Sequence, residues 1–211
     1  MKISIVIPTF NRLDSLKVVL PSLLDQTYGD YEILLCDAGS SDGTGEWVAS
    51  LGSEKIRFLP GADSGRAGAR NRGLQNALGE VILFTDADII ADPRLLESHA
   101  MRHQRGGQRS VVGCEIQVKS LDEYERFRQN PAAHARHKPT RRKLPWHYFL
   151  TGNASAPRQV LLDVGGFDQA FQGYGHEDLE LGYRIQKAGV RIEYAPEAIN
   201  YHWHPVPFPE Q

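Results

Sequence analysis

Two aspartates that directly follow an apolar run are the strongest candidates for chemistry in this chain. Residues 81–84 are apolar, and Thr85 is followed by Asp86, Ala87 and Asp88. Carboxylates are preferred ligands of hard divalent cations, and both can face one ion where a strand breaks into a loop. Aspartates are equally common in surface turns. The pattern therefore predicts either a cation site or a polar turn.

Asp37 also ends an apolar run, residues 31–36, and is followed by a loop rich in glycine and serine. A carboxylate at this position can accept hydrogen bonds from a ribose or a base edge. The alternative is a turn before a helix, capped by Asp42 or Thr44. The sequence leaves both interpretations open.

Residues 64–73 combine small side chains with arginines at the start of a predicted helix. Small residues let backbone amides approach an anion, and Arg66 and Arg70 would add positive charge. A helix with an exposed basic face is the simpler interpretation. The chain contains neither a GxGxxG nor a Walker A pattern, which disfavours dehydrogenase and P-loop functions.

The last third of the chain carries further titratable residues. His176, Glu177 and Asp178 precede a predicted helix, where the helix dipole stabilises acidic side chains. One of these carboxylates could instead act as a general base toward a hydroxyl group. His202 and His204 follow the last predicted strand; they are either surface residues or imidazole ligands that complete a Mn²⁺-like site.

Apolar strands alternate with helices through the first hundred residues, which indicates an α/β fold with a buried, mostly parallel sheet. In such sheets ligands bind outside the carboxyl ends of the strands. We therefore expect the loops that begin at Pro8, Asp37 and Asp86 to share one crevice. A helix over residues 177–188 and a strand over residues 190–194 close the predicted fold.

The bulk composition limits the classes of protein to consider. With 211 residues, 41% of them hydrophobic, the chain suits a single domain. A net charge of -2 gives no reason to expect nucleic acid as a partner. Cys36 and Cys114 show no CxxC spacing, and no apolar run approaches the length of a membrane span, so we expect a cytoplasmic protein.

A basic stretch over residues 136–143, followed by Trp146, Tyr148 and Phe149, predicts a long mobile surface loop near residues 131–150. Such charge runs are usually just solvated. The aromatic residues beside the charges would also suit a lipid-linked acceptor or peripheral contact with the inner face of a membrane.

Taken together and in order, these motifs resemble the family 2 glycosyltransferases with the GT-A fold, a Rossmann-like three-layer α/β/α sandwich. The segments that carry the resemblance are residues 5–12, the Asp37 loop, residues 68–73, Asp86 with Asp88, residues 151–155, residues 165–168 and residues 175–178. The resemblance spans nearly the whole chain. It implies one domain over residues 1–211, with residues 1–100 binding the donor and residues 101–211 the acceptor.

The resemblance also implies a role for each matching residue. The implied contacts to the nucleotide-sugar donor are Pro8, Thr9, Phe10, Arg12, Asp37, Arg66, Arg70, Asp86 and Ala87. Asp88 and His202 would bind Mn²⁺ or Mg²⁺, although the histidine doublet leaves the choice against His204 open. Asp178 would be the general base with Glu177 beside it. The sugar or acceptor pocket would be lined by Gly152, Asn153 and His176.

The implied activity is metal-dependent, inverting transfer from a UDP-sugar to a saccharide or lipid-linked acceptor, as in polysaccharide biosynthesis. Because the chain ends soon after His204, we expect no processive, self-anchored synthase. A haloacid dehalogenase-like phosphatase could also use Asp86 and Asp88, but it would carry them on its first strand. A sugar-nucleotide nucleotidyltransferase would need a glycine-rich loop after its first strand, which this chain lacks. Asp88 and Asp178 argue against a non-enzymatic nucleotide-binding module.

Overall fold

Strands and helices alternate through the first hundred residues, as the sequence predicts. A computed structural model describes residues 1–62, 65–135, 143–171 and 175–203. The strands are β1 (Ile3–Thr9), β2 (Tyr31–Asp37), β3 (Ile56–Pro60), β4 (Val81–Phe84), β5 (Ile89–Ala91), β6 (Arg109–Val118), β7 (Lys143–Leu144), β8 (Ala154–Pro157) and β9 (Arg191–Trp203). The helices are α1 (Leu13–Leu24), α2 (Thr44–Ser50), α3 (Gly65–Asn76), α4 (Leu95–His103), α5 (Leu121–Phe127), α6 (Pro131–His134), α7 (Arg158–Asp163) and α8 (Glu177–Lys187), with a 3₁₀ turn at Trp146–Tyr148.

All the described strands belong to one sheet, in the order β3-β2-β1-β4-β8-β6-β9-β5, with β7 paired to β9. Strands β5, β7 and β8 run antiparallel to their neighbours, while β3, β2, β1 and β4 form a parallel block and β6 is parallel to β9. The prediction of an α/β fold with a mostly parallel sheet is confirmed.

Helix α3 packs closely on the parallel block because of one glycine. A Cβ atom on Gly73 would lie 2.4 Å from Val6 Cγ1 and 2.9 Å from Cys36 Sγ. Both distances are shorter than real Cβ contacts, so any larger residue would force the helix away from β1 and β2. This close approach fixes the position of the arginines that α3 carries.

The last strand is much longer than the sequence predicts. The apolar pattern predicts a strand over residues 190–194, whereas β9 continues to Trp203. It continues because β6 pairs with it on one side and β5 on the other, so that backbone hydrogen bonds rather than apolar side chains define its end. This extension places His202 opposite Ile89, one residue after Asp88.

The segment predicted as a long loop near residues 131–150 contains short regular elements in its described parts, α6, β7 and the 3₁₀ turn. Residues 136–142, which hold most of the basic side chains, lie outside the described residues. Within the described ranges, no helix has both the length and the apolar character required to cross a membrane.

Candidate donor and metal site

The loops that follow β1, β2 and β4 emerge at the same edge of the sheet. Thr9 at the end of β1 is the register partner of Asp37 at the end of β2, and β4 runs parallel to β1 beside them. The backbone amide of Ala38 donates to the carbonyl oxygen of Thr9 over 2.9 Å. The three loops therefore share the edge at which strand direction predicts a crevice.

Side chains tie the first two loops together. Asn11 has a φ of +50°. Its side-chain oxygen accepts from the backbone amide of Ser41 over 2.8 Å, and its backbone amide donates to the Ser40 hydroxyl over 2.8 Å. Asp42 accepts from the amides of Leu13, at 2.9 Å, and Thr44, at 3.1 Å. Asp42 thus has the structural role that the sequence left open for it.

Asp37 is buried, and its carboxylate organises its own loop. It accepts hydrogen bonds from the amides of Gly39, at 3.0 Å, and Ser40, at 2.9 Å, and from the Ser40 hydroxyl. On the neighbouring loop Pro8 is half-buried and Thr9 is buried, whereas Phe10 is 57% exposed. An exposed ring beside a polar loop is suited to stacking on a planar base.

Arg70 lies deep in the site rather than on the exposed face of α3. It is 2% exposed and donates to Asp86 Oδ1 and to Glu177 Oε1, each over 2.9 Å. Its guanidinium also lies 5.6 Å from the centre of the Phe167 ring. Arg70 therefore acts on the predicted donor site through Asp86, whereas Arg66, one helical turn earlier, is exposed.

The two carboxylates that pair with Arg70, Asp86 and Glu177, differ in burial. Glu177 is buried, and its charge is balanced by Arg70, so it serves as a structural partner and leaves Asp178 as the more accessible carboxylate of the pair. Asp86 Oδ1 accepts from the same arginine. The aspartate pair follows β4 rather than β1, which disfavours the phosphatase hypothesis.

Asp88 and His202 converge at this edge of the sheet. Asp88 Oδ1 lies 3.5 Å from His202 Nε2, and the other ring nitrogen, Nδ1, lies 3.3 Å from Glu115 Oε1. Burial lowers the pKa of His202, but its hydrogen bonds and charge interactions with Asp88 and Glu115 outweigh this and raise the pKa to about 10. The two carboxylates thus create a site that favours positive charge.

This arrangement fits a divalent cation held by two protein ligands. Adjacent octahedral ligands that each lie about 2.1 Å from one ion are about 3.0 Å apart, so the observed 3.5 Å requires only a small side-chain movement for both groups to bind one ion. Among the described residues, no group of three or more His, Cys, Asp or Glu side chains is placed to hold an ion. Further ligands would therefore come from phosphate oxygens and water, a common arrangement at nucleotide sites. His204 lies outside the described residues.

Asp178 lies in the first turn of α8, in an environment suited to a proton acceptor. Burial, followed by the nearby charge of Glu177, raises the pKa of Asp178 above its ordinary value, against opposing hydrogen bonds from the Leu179 and Thr151 amides and the charge of Arg70. A carboxylate with a raised pKa is a stronger base. His176 precedes it as an exposed residue with a φ of +76°.

The two predicted pocket residues before β8 differ in position. A Cβ atom on Gly152 would lie only 2.5 Å from Glu115 Oε2, so this glycine gives the Glu115 carboxylate its space. Asn153 is 4% exposed, and its amide is hydrogen-bonded to His99 at 2.9 Å and to the Ala198 carbonyl at 3.0 Å. Asn153 therefore supports the sheet through its amide, and its role in the sugar or acceptor pocket stays a prediction.

Glu115 is the site residue that the sequence reasoning missed. It lies in β6 between apolar neighbours, and Gln117, two residues later on the same face, donates to its carboxylate over 2.7 Å. Two polar residues at alternate positions in a buried strand were the available signal, because alternate side chains share one face.

The comparisons with known proteins agree with this fold. The model of Glycosyl transferase family 2 matches residues 4–166, and that of the N-terminal domain of galactosyltransferase matches residues 132–205. The chain belongs to glycosyl transferase family 2.

Several curated relatives and solved structures are similar over nearly the whole chain. Validoxylamine A glucosyltransferase of Streptomyces hygroscopicus subsp. jinggangensis (strain 5008) is 31% identical, over 93% of this chain and 54% of the relative. Chondroitin synthase of Escherichia coli is 26% identical, over 96% of this chain and 35% of the relative. S. aureus TarS 1-349 in complex with UDP-GlcNAc matches with a TM-score of 0.80 at 18% identity, over 99% of this chain and 60% of TarS 1-349.

A second solved structure is the mannosyltransferase PcManGT from Pyrobaculum calidifontis in complex with GDP-Man and Mn²⁺, with a TM-score of 0.70, 22% identity, and coverage of 97% of this chain and 57% of that one. These likenesses confirm the GT-A fold. The chain spans about half of the validoxylamine A glucosyltransferase and a smaller part of the chondroitin synthase.

Proposed function

We propose that this domain transfers a sugar from a nucleoside diphosphate sugar to a hydroxyl group of a saccharide or lipid-linked acceptor, with inversion at the anomeric carbon. The observation that carries the proposal is the convergence of Asp88 and His202 at the sheet edge where the β1 and β2 loops meet. Such an edge is where α/β sheets bind nucleotides.

Asp88 and His202 would hold the divalent cation, Mn²⁺ or Mg²⁺. When bound, the ion supplies a Lewis acid that offsets the negative charge of the departing diphosphate. Glu115 would fix the imidazole through Nδ1, leaving Nε2 directed at Asp88 and the ion. Carboxylates that accept from the other ring nitrogen in this way orient histidine ligands in many metal sites.

The donor would lie along the loops that precede the ion site. The exposed ring of Phe10 would stack on the base, and Pro8, Thr9 and Asp37 would contact the nucleoside. Arg66, which is also exposed, would contact a phosphate. Burial raises the pKa of the Asp88 carboxyl group, but His202 and then Arg12 lower it, and the net shift is downward. Arg12 therefore lies close to Asp88. Arg12 would thus add positive charge beside the diphosphate.

Asp178 would accept the proton of the acceptor hydroxyl as that oxygen attacks the anomeric carbon and the bond to the diphosphate oxygen breaks. Its raised pKa favours proton capture. Attack opposite the leaving group inverts the anomeric configuration. A product that retains the donor configuration would contradict this role.

The relatives guide the choice of donor. TarS has been solved with UDP-GlcNAc and with UDP, and PcManGT with GDP-Man and Mn²⁺. We therefore take UDP as the default nucleotide and Mn²⁺ as the first cation to test. Similarity to a chondroitin synthase supports a saccharide acceptor and a role in polysaccharide biosynthesis. A cytoplasmic location and peripheral contact with the inner membrane face complete the proposal.

Thermal stability with UDP, GDP and dTDP, each with and without Mn²⁺, tests the donor site. A ligand at 100 times its Kd stabilises the folded state by about 2.7 kcal/mol. We expect a shift with one nucleotide that needs Mn²⁺ and is lost in Asp88→Asn. The absence of a shift with every nucleotide would refute the proposal. A panel of sugar nucleotides assayed for hydrolysis or transfer then identifies the donor sugar and separates an enzyme from a nucleotide-binding module.

A further inference from the structure

Four aromatic rings form an exposed surface on one side of α8. We call this surface the aromatic platform and define it as Trp146, His147, Tyr148 and Tyr183. Trp146 and Tyr148 are each 37% exposed, and Tyr183 is 47% exposed. The ring centres of Trp146 and Tyr183 are 5.9 Å apart, those of Trp146 and His147 5.5 Å, and those of His147 and Tyr148 4.9 Å. The rings are therefore contiguous.

The platform is held rigidly on the helix. Phe149, within the same segment, is fully buried, and a Cβ atom on Gly182 would lie 2.5 Å from the Trp146 carbonyl oxygen and 2.8 Å from Phe149 Cβ. Gln186 donates to the Leu144 carbonyl over 3.2 Å. The fold thus fixes the backbone of this segment while it leaves the aromatic rings in solvent, although burial of such rings is normally favourable.

The platform adjoins the proposed catalytic base. The Thr151 amide, three residues after Tyr148, donates to the Asp178 carboxylate. Tyr183 lies five residues after Asp178 on α8, about 7.5 Å along the helix axis and about 140° around it. Gly182, against which the Trp146 carbonyl oxygen packs, lies one turn after Asp178 on nearly the same side of the helix. A ligand that presents a hydroxyl to Asp178 and extends beyond one sugar unit can therefore reach the rings.

We propose that the aromatic platform is a binding subsite for an extended saccharide acceptor, whose sugar rings pack on Trp146 and Tyr183. This inference rests on the proposed function and names the acceptor class. The C–H faces of sugar rings pack on aromatic faces, and their hydroxyls can pair with the polar edges of Trp, Tyr and His. Contiguous exposed rings beside a site mark a ligand surface rather than scattered surface residues.

Direct binding of hexasaccharides tests the subsite without requiring the natural acceptor. Cello-, chito- and maltohexaose and a chondroitin hexasaccharide are titrated into the protein by calorimetry. We expect at least one to bind, with affinity reduced about tenfold in Trp146→Ala and in Tyr183→Ala. Trp146→Phe should retain most of the affinity. Leu78→Ala is the matched control, because Leu78 is 66% exposed and lies next to Gly79, which packs on the first residues of β1, away from the platform.

Three outcomes would overturn the inference. The first is that no hexasaccharide binds, and the second is that both alanine variants bind as tightly as the wild type. The third is that vesicles of phosphatidylcholine and phosphatidylglycerol bind in a Trp146-dependent manner while no saccharide does, which would assign the surface to a membrane.

The Mn²⁺-dependent UDP shift is measured on the same proteins. Its retention in Trp146→Ala and Tyr183→Ala shows that both variants fold. Its absence in the wild type, with saccharide binding intact, would refute the donor proposal and leave the subsite standing.

Discussion

One buried and one half-buried imidazole behind the site should make the protein acid-sensitive. His99 is fully buried, and its Nδ1 and the Nε2 of His103 each lie 2.8 Å from the Ser155 hydroxyl. Burial lowers the pKa of His99 to about 4. Burial, followed by the neighbouring His99 and Arg109, lowers that of His103 to about 3. Both rings are therefore neutral in the folded protein at physiological pH.

The expected loss of stability follows from proton linkage. An unfolded histidine has a pKa of about 6.5, so below that pH the unfolded chain binds more protons than the folded one. The stability contributed by the neutral rings is complete above about pH 7 and is lost as the pH falls through 6.5. A pH of 5 lies about 1.5 units below the unfolded pKa, and each unit corresponds to about 1.36 kcal/mol. Each histidine therefore lowers the free energy of unfolding at pH 5 by about 2 kcal/mol. The pair costs about 4 kcal/mol, a large fraction of a typical domain stability.

Urea unfolding at pH 7.5 and pH 5 measures this loss. His103→Gln keeps a nitrogen that can reach Ser155 but does not titrate, so the variant should lose about 2 kcal/mol less than the wild type between the two pH values. The exposed His147, changed to Gln, is the control and should behave as the wild type. Other titrating groups, His202 included, cancel in this comparison. An identical pH dependence of His103→Gln and the wild type would refute the reasoning.

Three further predictions concern the site. Asp178→Asn should keep Mn²⁺-dependent UDP binding and lose about 10²–10⁴-fold in turnover, and unaltered turnover would place the base elsewhere. Glu115→Gln should weaken Mn²⁺ binding in the presence of UDP about 10–100-fold, as measured by electron paramagnetic resonance of the free ion; unchanged affinity would mean that Glu115 does not orient His202. Arg70→Met should lower the free energy of unfolding by about 3–5 kcal/mol because it leaves the buried Glu177 carboxylate without its cation. Adding Glu177→Gln should restore part of this loss. Strictly additive losses in the double variant would argue against the ion pair.

The sequence was sufficient to predict the parallel block β1 to β4 and the edge of the sheet where the site lies. Apolar strands covered by helices must be parallel and buried, and their carboxyl ends must share one edge, so Asp37, Asp86 and Asp88 could be grouped without coordinates. Local chemistry also predicted α8, whose acidic first turn complements the helix dipole and whose end is marked by Gly189 with a φ of +84°.

The partners of those residues could not be predicted, because they depend on contacts between distant parts of the chain. Glu115 and His202 are 87 residues apart and meet only because β6 pairs with β9. Arg70 and Glu177 are 107 residues apart. Asn153 looked available for a ligand, but its amide is satisfied by buried partners that no local pattern reveals.

The bridge formed by Arg70 has a consequence for engineering and for recombination between relatives. One guanidinium joins Asp86, in the loop after β4 within residues 1–100, to Glu177, the first residue of α8 within residues 101–211. A chimera that exchanges residues 101–211 to change the acceptor must therefore bring a carboxylate at the position of Glu177. Without it, the buried Arg70 guanidinium keeps only one of its two carboxylate partners. The two halves are interchangeable only among proteins that share this arginine and both of its acids.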